Sequence, residues 1–121
     1  MKGFSSVVLY VRDIAASKRF YTSLFGVAPE EPSPTFASYA LESGPRVELK
    51  EAGSSIPAAS ATGGGTELCA NAPDADSLKR LYAEWKGRGV AFALEPTAMV
   101  FGLSFVALDP DGHRIRMTAG N

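Results

Sequence analysis

Two arginines on one face of a terminal strand are the residues of this chain best placed to do chemistry. In the stretch FGLSFVALDPDGHRIRM, from Phe101 to Met117, residues 103–108 are almost wholly apolar and Asp109-Pro110-Asp111-Gly112 is a turn tetrapeptide. The segment from His113 to Thr118 then returns with period-two alternation. Pro110 presets φ at the second turn position, Asp109 can accept bonds from the backbone beyond it, and Gly112 tolerates a positive φ. The alternation places Arg114 and Arg116 on one face and His113, Ile115 and Met117 on the other. Two guanidinium groups pointing the same way need solvent, an anion or a carboxylate, and could clamp a carboxylate or phenolate ligand. His113 is the only histidine, and at a turn a locally bonded side chain is its ordinary role. It leaves no imidazole to activate Ser6 or Cys69 as a nucleophile.

The elements that must position these groups follow from the patterning. Residues 4–11 form a strand with Val7, Leu9 and Val11 on one face and Ser6, Val8 and Tyr10 on the other. Asp13 caps a helix of about a dozen residues that Gly26 ends, with Ile14, Phe20, Tyr21, Leu24 and Phe25 at helical spacing. A short segment over 27–31 is broken by Pro32 and Pro34, and residues 36–42 and 46–51 make a hairpin about Ser43-Gly44-Pro45. Residues 53–65, GSSIPAASATGGG, have few apolar anchors and read as a flexible connector, either a plain linker or a mobile loop over a cleft. The pattern then restarts: a strand over 66–72, a helix over 73–87 with Leu78, Leu81, Tyr82 and Trp85 on one face, Gly89 closing it, a short strand over 90–94, and the two terminal strands. Strand, helix and three strands thus occur twice at a period of roughly sixty residues, an internal duplication that sets the architecture. The expected fold is α+β: two βαβββ modules, about 1–52 and 66–121, whose curved mixed sheets form a cup lined by their helix-free faces.

Composition narrows the function classes. A chain of 121 residues is one globular domain in size, and 45% apolar with 21% charged residues gives it enough core to fold. A net charge of −1, mixed along the chain, argues against a nucleic-acid or membrane surface. The single cysteine excludes an internal disulfide and suits a reducing compartment, and no apolar run reaches membrane-spanning length. The start, MKGFSSVVLYVRD, alternates instead of forming a signal core, so a cytoplasmic location is expected.

A DPDGH turn between two terminal strands, preceded by Phe-Gly and by a helix ending in Gly-Arg-Gly, resembles the vicinal oxygen chelate superfamily of glyoxalases, extradiol dioxygenases and the fosfomycin and bleomycin resistance proteins. The resemblance spans nearly the whole chain. In its metal-dependent members four strands each send one ligand into the cup, typically His, Glu, His and Glu. Carried over by position, these places hold Ser6, Glu48, Glu67 (Thr66 in the neighbouring register) and Arg116. A divalent metal wants three or four N, O or S ligands and an open position. A guanidinium would repel it. No metal and no cofactor are therefore expected, and Arg116 is instead expected to balance Glu48, with Glu67 as a second candidate partner. Beside Arg116 these carboxyls stay ionised, which is wrong for a general acid near neutral pH.

The segments LYAEW, Glu95-Pro96, Val100-Phe101-Gly102 and DPDGH-x-IR resemble the phenazine-antibiotic resistance branch, which binds a flat aromatic drug without metal. Tyr10, Phe36, Tyr39, Phe101 and Phe105 lie on or beside the cup strands and could sandwich such a ligand, although each alone is more often a core residue. The expected function is metal-free sequestration of a planar aromatic or antibiotic-like molecule, with Ser6, Tyr10, Phe36, Tyr39, Glu48, Glu67, Phe101, Phe105, Arg114 and Arg116 as ligand-binding residues and no catalytic residue. The resemblance also implies a homodimer. The alternatives are a lyase or dioxygenase with an atypical Glu48/Glu67 site, and a regulatory module with an empty cup.

Overall fold

Alternating apolar residues need a second layer to cover them, and each half of this chain supplies one helix for the purpose. In the computed structural model, which describes residues 1–120, the chain divides into two compact units, Met1–Thr62 and one beginning at Gly63. The division falls inside the Gly/Ala-rich connector.

The first unit contains β1 (Ser6–Val11), α1 (Ile14–Phe25), β2 (Glu30–Ser33), β3 (Phe36–Tyr39) and β4 (Arg46–Glu51). Its sheet order is β1-β4-β3-β2, with β1 parallel to β4 and the other pairs antiparallel. Asp13 caps α1 by accepting a hydrogen bond from the Ala16 amide at 3.1 Å, and Gly26, at φ 69°, closes it in the left-handed region. The buried face of α1 sets Tyr21 and Phe25 against Tyr39, with ring centroids 5.4 Å apart within the helix and 5.2 Å apart from Phe25 to Tyr39. Leu9, Val11, Ala37, Val47 and Leu49 complete this core.

The second unit repeats the plan with β5 (Glu67–Asn71), α2 (Ala75–Gly87), β6 (Ala91–Met99), β7 (Gly102–Leu108) and β8 (Arg114–Gly120), in the order β5-β8-β7-β6. Again the first and last strands are parallel. Asp74 caps α2 through the Ser77 amide at 2.7 Å, and that bond holds its carboxyl below the usual aspartate range. Beneath α2, Phe105 is the hub of an aromatic cluster with Tyr82, Trp85 and Phe92, at centroid distances of 5.8, 5.4 and 5.6 Å. The turn before β8 forms as its residues dictate. Asp109 Oδ1 accepts from the amides of Asp111 and His113, each at 2.8 Å, and Gly112 takes φ 83°.

The α+β class and the twofold strand–helix–three-strand order hold, and two local expectations are corrected. Pro32 does not break the chain, because Glu30–Ser33 is an edge strand where Pro32 costs no ladder bond on its open side, whereas Pro34 stands in the turn that ends it. The strand after α2 runs to Met99, well past Leu94, because it also lies at an edge and shifts register on either side of Leu94, absorbing Pro96. The connector is anchored at both ends. Ala52–Ser54 form a 3₁₀ turn, the Ala59 amide returns to the Ala52 carbonyl at 3.2 Å, and the Gly63 amide bonds Asp111 at 3.0 Å. A Cβ on Gly63 would lie 2.2 Å from the His113 nitrogen, so only glycine fits there.

Candidate functional site

Pairing register decides which side chains share a face, because residues directly opposite across a ladder point the same way. In the first sheet the helix-free face carries three cross-strand rows. They are Ser6 opposite Arg46, Val8–Glu48–Ser38, and Tyr10–Lys50–Phe36. Arg46 Nε donates to Ser38 Oγ at 2.7 Å, and Ser38 donates to Glu48 Oε2 at 2.8 Å, so Glu48 is held within its own unit. Arg46 Nη2 also approaches Glu30 Oε1 at 3.2 Å.

The third row lines a cavity of about 240 Å³. Tyr10, Phe36 and Lys50 line it together with Ser54, Ser55 and Ile56 from the start of the connector. Lys50 Nζ lies 5.9 Å from the Phe36 ring centroid, at cation–π range. A larger groove of about 600 Å³ runs along the outer side of α1, lined by Lys18, Arg19 and Glu31. It lies away from the sheet face, and two of its three charged groups, Lys18 and Glu31, are paired with each other.

In the second sheet the helix-free face carries Glu67, Cys69, Arg114 and Arg116, with Ser104 on β7. Arg116 grips Glu67 through two nitrogens, Nε to Oε1 at 3.0 Å and Nη2 to Oε2 at 3.2 Å, and its Nη1 donates to Ser104 Oγ at 2.9 Å. Phe101, about half exposed, caps the guanidinium at 6.0 Å from the ring centroid. Arg114 is exposed on the same face, next to Glu67 in register.

Most of the residues named from sequence therefore lie on helix-free faces: Ser6, Tyr10, Phe36 and Glu48 in the first unit, Glu67, Arg114 and Arg116 in the second. Phe101 stands just before β7. Tyr39 and Phe105 do not. Both are fully buried on the helix side, opposite Val47 and Met117 respectively. Tyr39 OH donates to the Lys18 carbonyl at 3.1 Å and lies 2.8 Å from Thr22 Oγ1, and burial pushes its phenol pKa up. The partner of Arg116 is Glu67, while Glu48 is bonded by Ser38. Sequence reasoning passed over Lys50, Ser38, Arg46 and Ser104. The first and third had a signal, since alternation through Arg46-Val-Glu-Leu-Lys places both on the face of Glu48.

A family model for the Glyoxalase/Bleomycin resistance protein/Dioxygenase superfamily matches residues 3–117. The chain belongs to that superfamily. Among curated relatives, it is 29% identical over 121 residues to the phenazine antibiotic resistance protein EhpR of Enterobacter agglomerans, a match covering 91% of this chain and 86% of the relative. Among solved structures it is similar to protein ATC0852 of Agrobacterium tumefaciens, with 40% identity, a TM-score of 0.90 and coverage of 100% of this chain and 99% of the other. A glyoxalase-related enzyme from Fulvimarina pelagi shares the fold at 22% identity and a TM-score of 0.85, covering 99% of this chain and 89% of that one.

The metal centre used by metal-dependent members does not fit these residues. Ser6 offers only a hydroxyl, both Glu67 oxygens are engaged by a permanent cation, and that cation stands in the last-strand ligand place. Among the described residues no group of three or more His, Cys, Asp or Glu side chains is placed to hold an ion. Nor is any described helix long and apolar enough to cross a membrane.

Proposed function

We propose that this superfamily member binds and sequesters a planar aromatic small molecule without metal chemistry, in the manner of a drug-resistance protein. The observation that carries the reading is the Arg116–Glu67 pair. It fills the last-strand place of a metal ligand with a neutralised ion pair, and the helix-free face of the first unit carries Tyr10 and Phe36 at a cavity. Likeness to a phenazine antibiotic resistance protein over nine-tenths of the chain supports the same ligand class. Tyr10 and Phe36 supply ring faces at the cavity, where aromatic contact adds to the free energy of burying a flat ligand. The reading includes a cytoplasmic homodimer, to be checked by sedimentation at several concentrations.

Equilibrium dialysis against phenazine and other planar aromatics, with chelator-treated protein checked by elemental analysis, tests the proposal. Saturable micromolar binding is expected, weakened roughly fivefold to tenfold in Tyr10→Ala and in Phe36→Ala. Glu48→Gln should leave it unchanged. Stoichiometric metal in untreated protein together with no ligand uptake would overturn the reading in favour of an enzyme.

A further inference from the structure

We infer that the ligand is an aromatic acid carrying a single negative charge and that Lys50, not Arg116, reads that charge; the inference rests on the sequestration reading above and names its ligand class. The row Tyr10–Lys50–Phe36 crosses three adjacent strands on one face, so an ammonium is flanked by two aromatic side chains at one level of the sheet. All three residues line the same cavity. A flat ring system laid against Tyr10 and Phe36 brings a ring-borne carboxylate to the Lys50 ammonium, with Ser54 also in the lining.

The two cations differ in what already holds them. Arg116 has Nε, Nη1 and Nη2 each committed to Glu67 or Ser104. Lys50, among the described residues, has no carboxylate within 4 Å and meets the face of Phe36 instead. An incoming anion gains a partner at Lys50 without displacing one, whereas at Arg116 it must compete with a two-point carboxylate contact. The cavity also bounds the charge it accepts. Glu51 lines it next to Lys50, so a second carboxylate on the ligand would meet a like charge. The Lys50 ammonium gives a monoacid an ion-pair partner that a neutral ring cannot use, and beside Glu51 a second carboxylate finds none.

Three probes of one ring system separate the possibilities: phenazine, phenazine-1-carboxylate and a phenazine dicarboxylate, each titrated into the wild type and into Lys50→Met, Lys50→Arg and Arg116→Met. The monoacid should bind the wild type about tenfold more tightly than phenazine, and the dicarboxylate no better than phenazine. Lys50→Met should remove the monoacid's advantage while leaving phenazine affinity within twofold, and Lys50→Arg should restore most of it. Arg116→Met should keep the advantage. If phenazine and the monoacid bind equally and Lys50→Met changes neither, the inference falls while sequestration stands. A preference lost in Arg116→Met instead assigns the charge to the other sheet and also sinks it. If none of the three probes binds, both readings fall together.

Discussion

Substituting Glu67 and Arg116 singly and together measures how firmly the ion pair is held. The contact is two-pronged, at 3.0 and 3.2 Å, and the side chains are 27% and 19% exposed. Fully exposed pairs couple by about 0.2–1 kcal/mol, and breaking a buried pair costs about 3–5 kcal/mol. The partial shielding here places the coupling between those limits, at about 1.5 kcal/mol. Arg116→Met should cost more, about 2 kcal/mol, since it also strips Ser104 of its Nη1 donor. Glu67→Gln should cost about 1.5 kcal/mol, because the amide still accepts one bond. In a chain of 121 residues each kcal/mol lowers the melting temperature by roughly 4 °C. The assay is urea unfolding of wild type, both single variants and the double variant, at matched m-values so that the differences report the native state. The double variant should lie near the cost of either single one. Raising salt to 1 M should reduce the coupling by less than half, as shielding limits ionic screening. Additive single costs, with coupling below about 0.3 kcal/mol, would refute the pair as a firmly held contact.

Two further variants test the reassignment of aromatic residues from ligand wall to core. Tyr39→Phe should cost about 1 kcal/mol at neutral pH, for the phenol's bonds to Lys18 and Thr22. Because burial raises the folded-state pKa above the ordinary 10.0, the contribution of the neutral phenol is complete below pH 10. It is lost as pH rises through the folded value, where the unfolded chain has already given up its proton. Urea midpoints from pH 8 to 11 should therefore show the gap between the two proteins closing above pH 10, and a constant gap would contradict the assignment. Phe105→Leu should cost about 2 kcal/mol, roughly 8 °C in a thermal scan, by emptying the centre of the Tyr82–Trp85–Phe92 cluster. It should leave affinity for planar aromatics unchanged, and a binding loss without a stability loss would return Phe105 to the ligand.

What could be read beforehand was whatever is written locally in the chain. Asp13 and Gly26 mark the ends of α1 through hydrogen bonds within a few residues, and the Asp109–Gly112 turn closes on its own amides. The doubling of strand, helix and three strands follows from the same short-range grammar. The site was legible only where parity could be counted. Arg114 and Arg116 are two apart and share a face, but Phe36 and Tyr39 are three apart, so one strand cannot turn both toward a ligand. Phe105 stands opposite Met117, which alternation had already placed on the face away from Arg116. What no local pattern contains is register between strands distant in sequence. That Lys50 lies in register between Tyr10 and Phe36 depends on β4 lying between β1 and β3 at one particular stagger. Had β4 slipped by one residue, Leu49 or Glu51 would take the place of Lys50 between those rings, and the cation would turn to the other face. The burial of Val47 and Leu49 under α1 resists that slip, since it would turn Glu48 into the core. The hydrophobic face thus fixes the register, and the register sets a cation between two aromatic side chains.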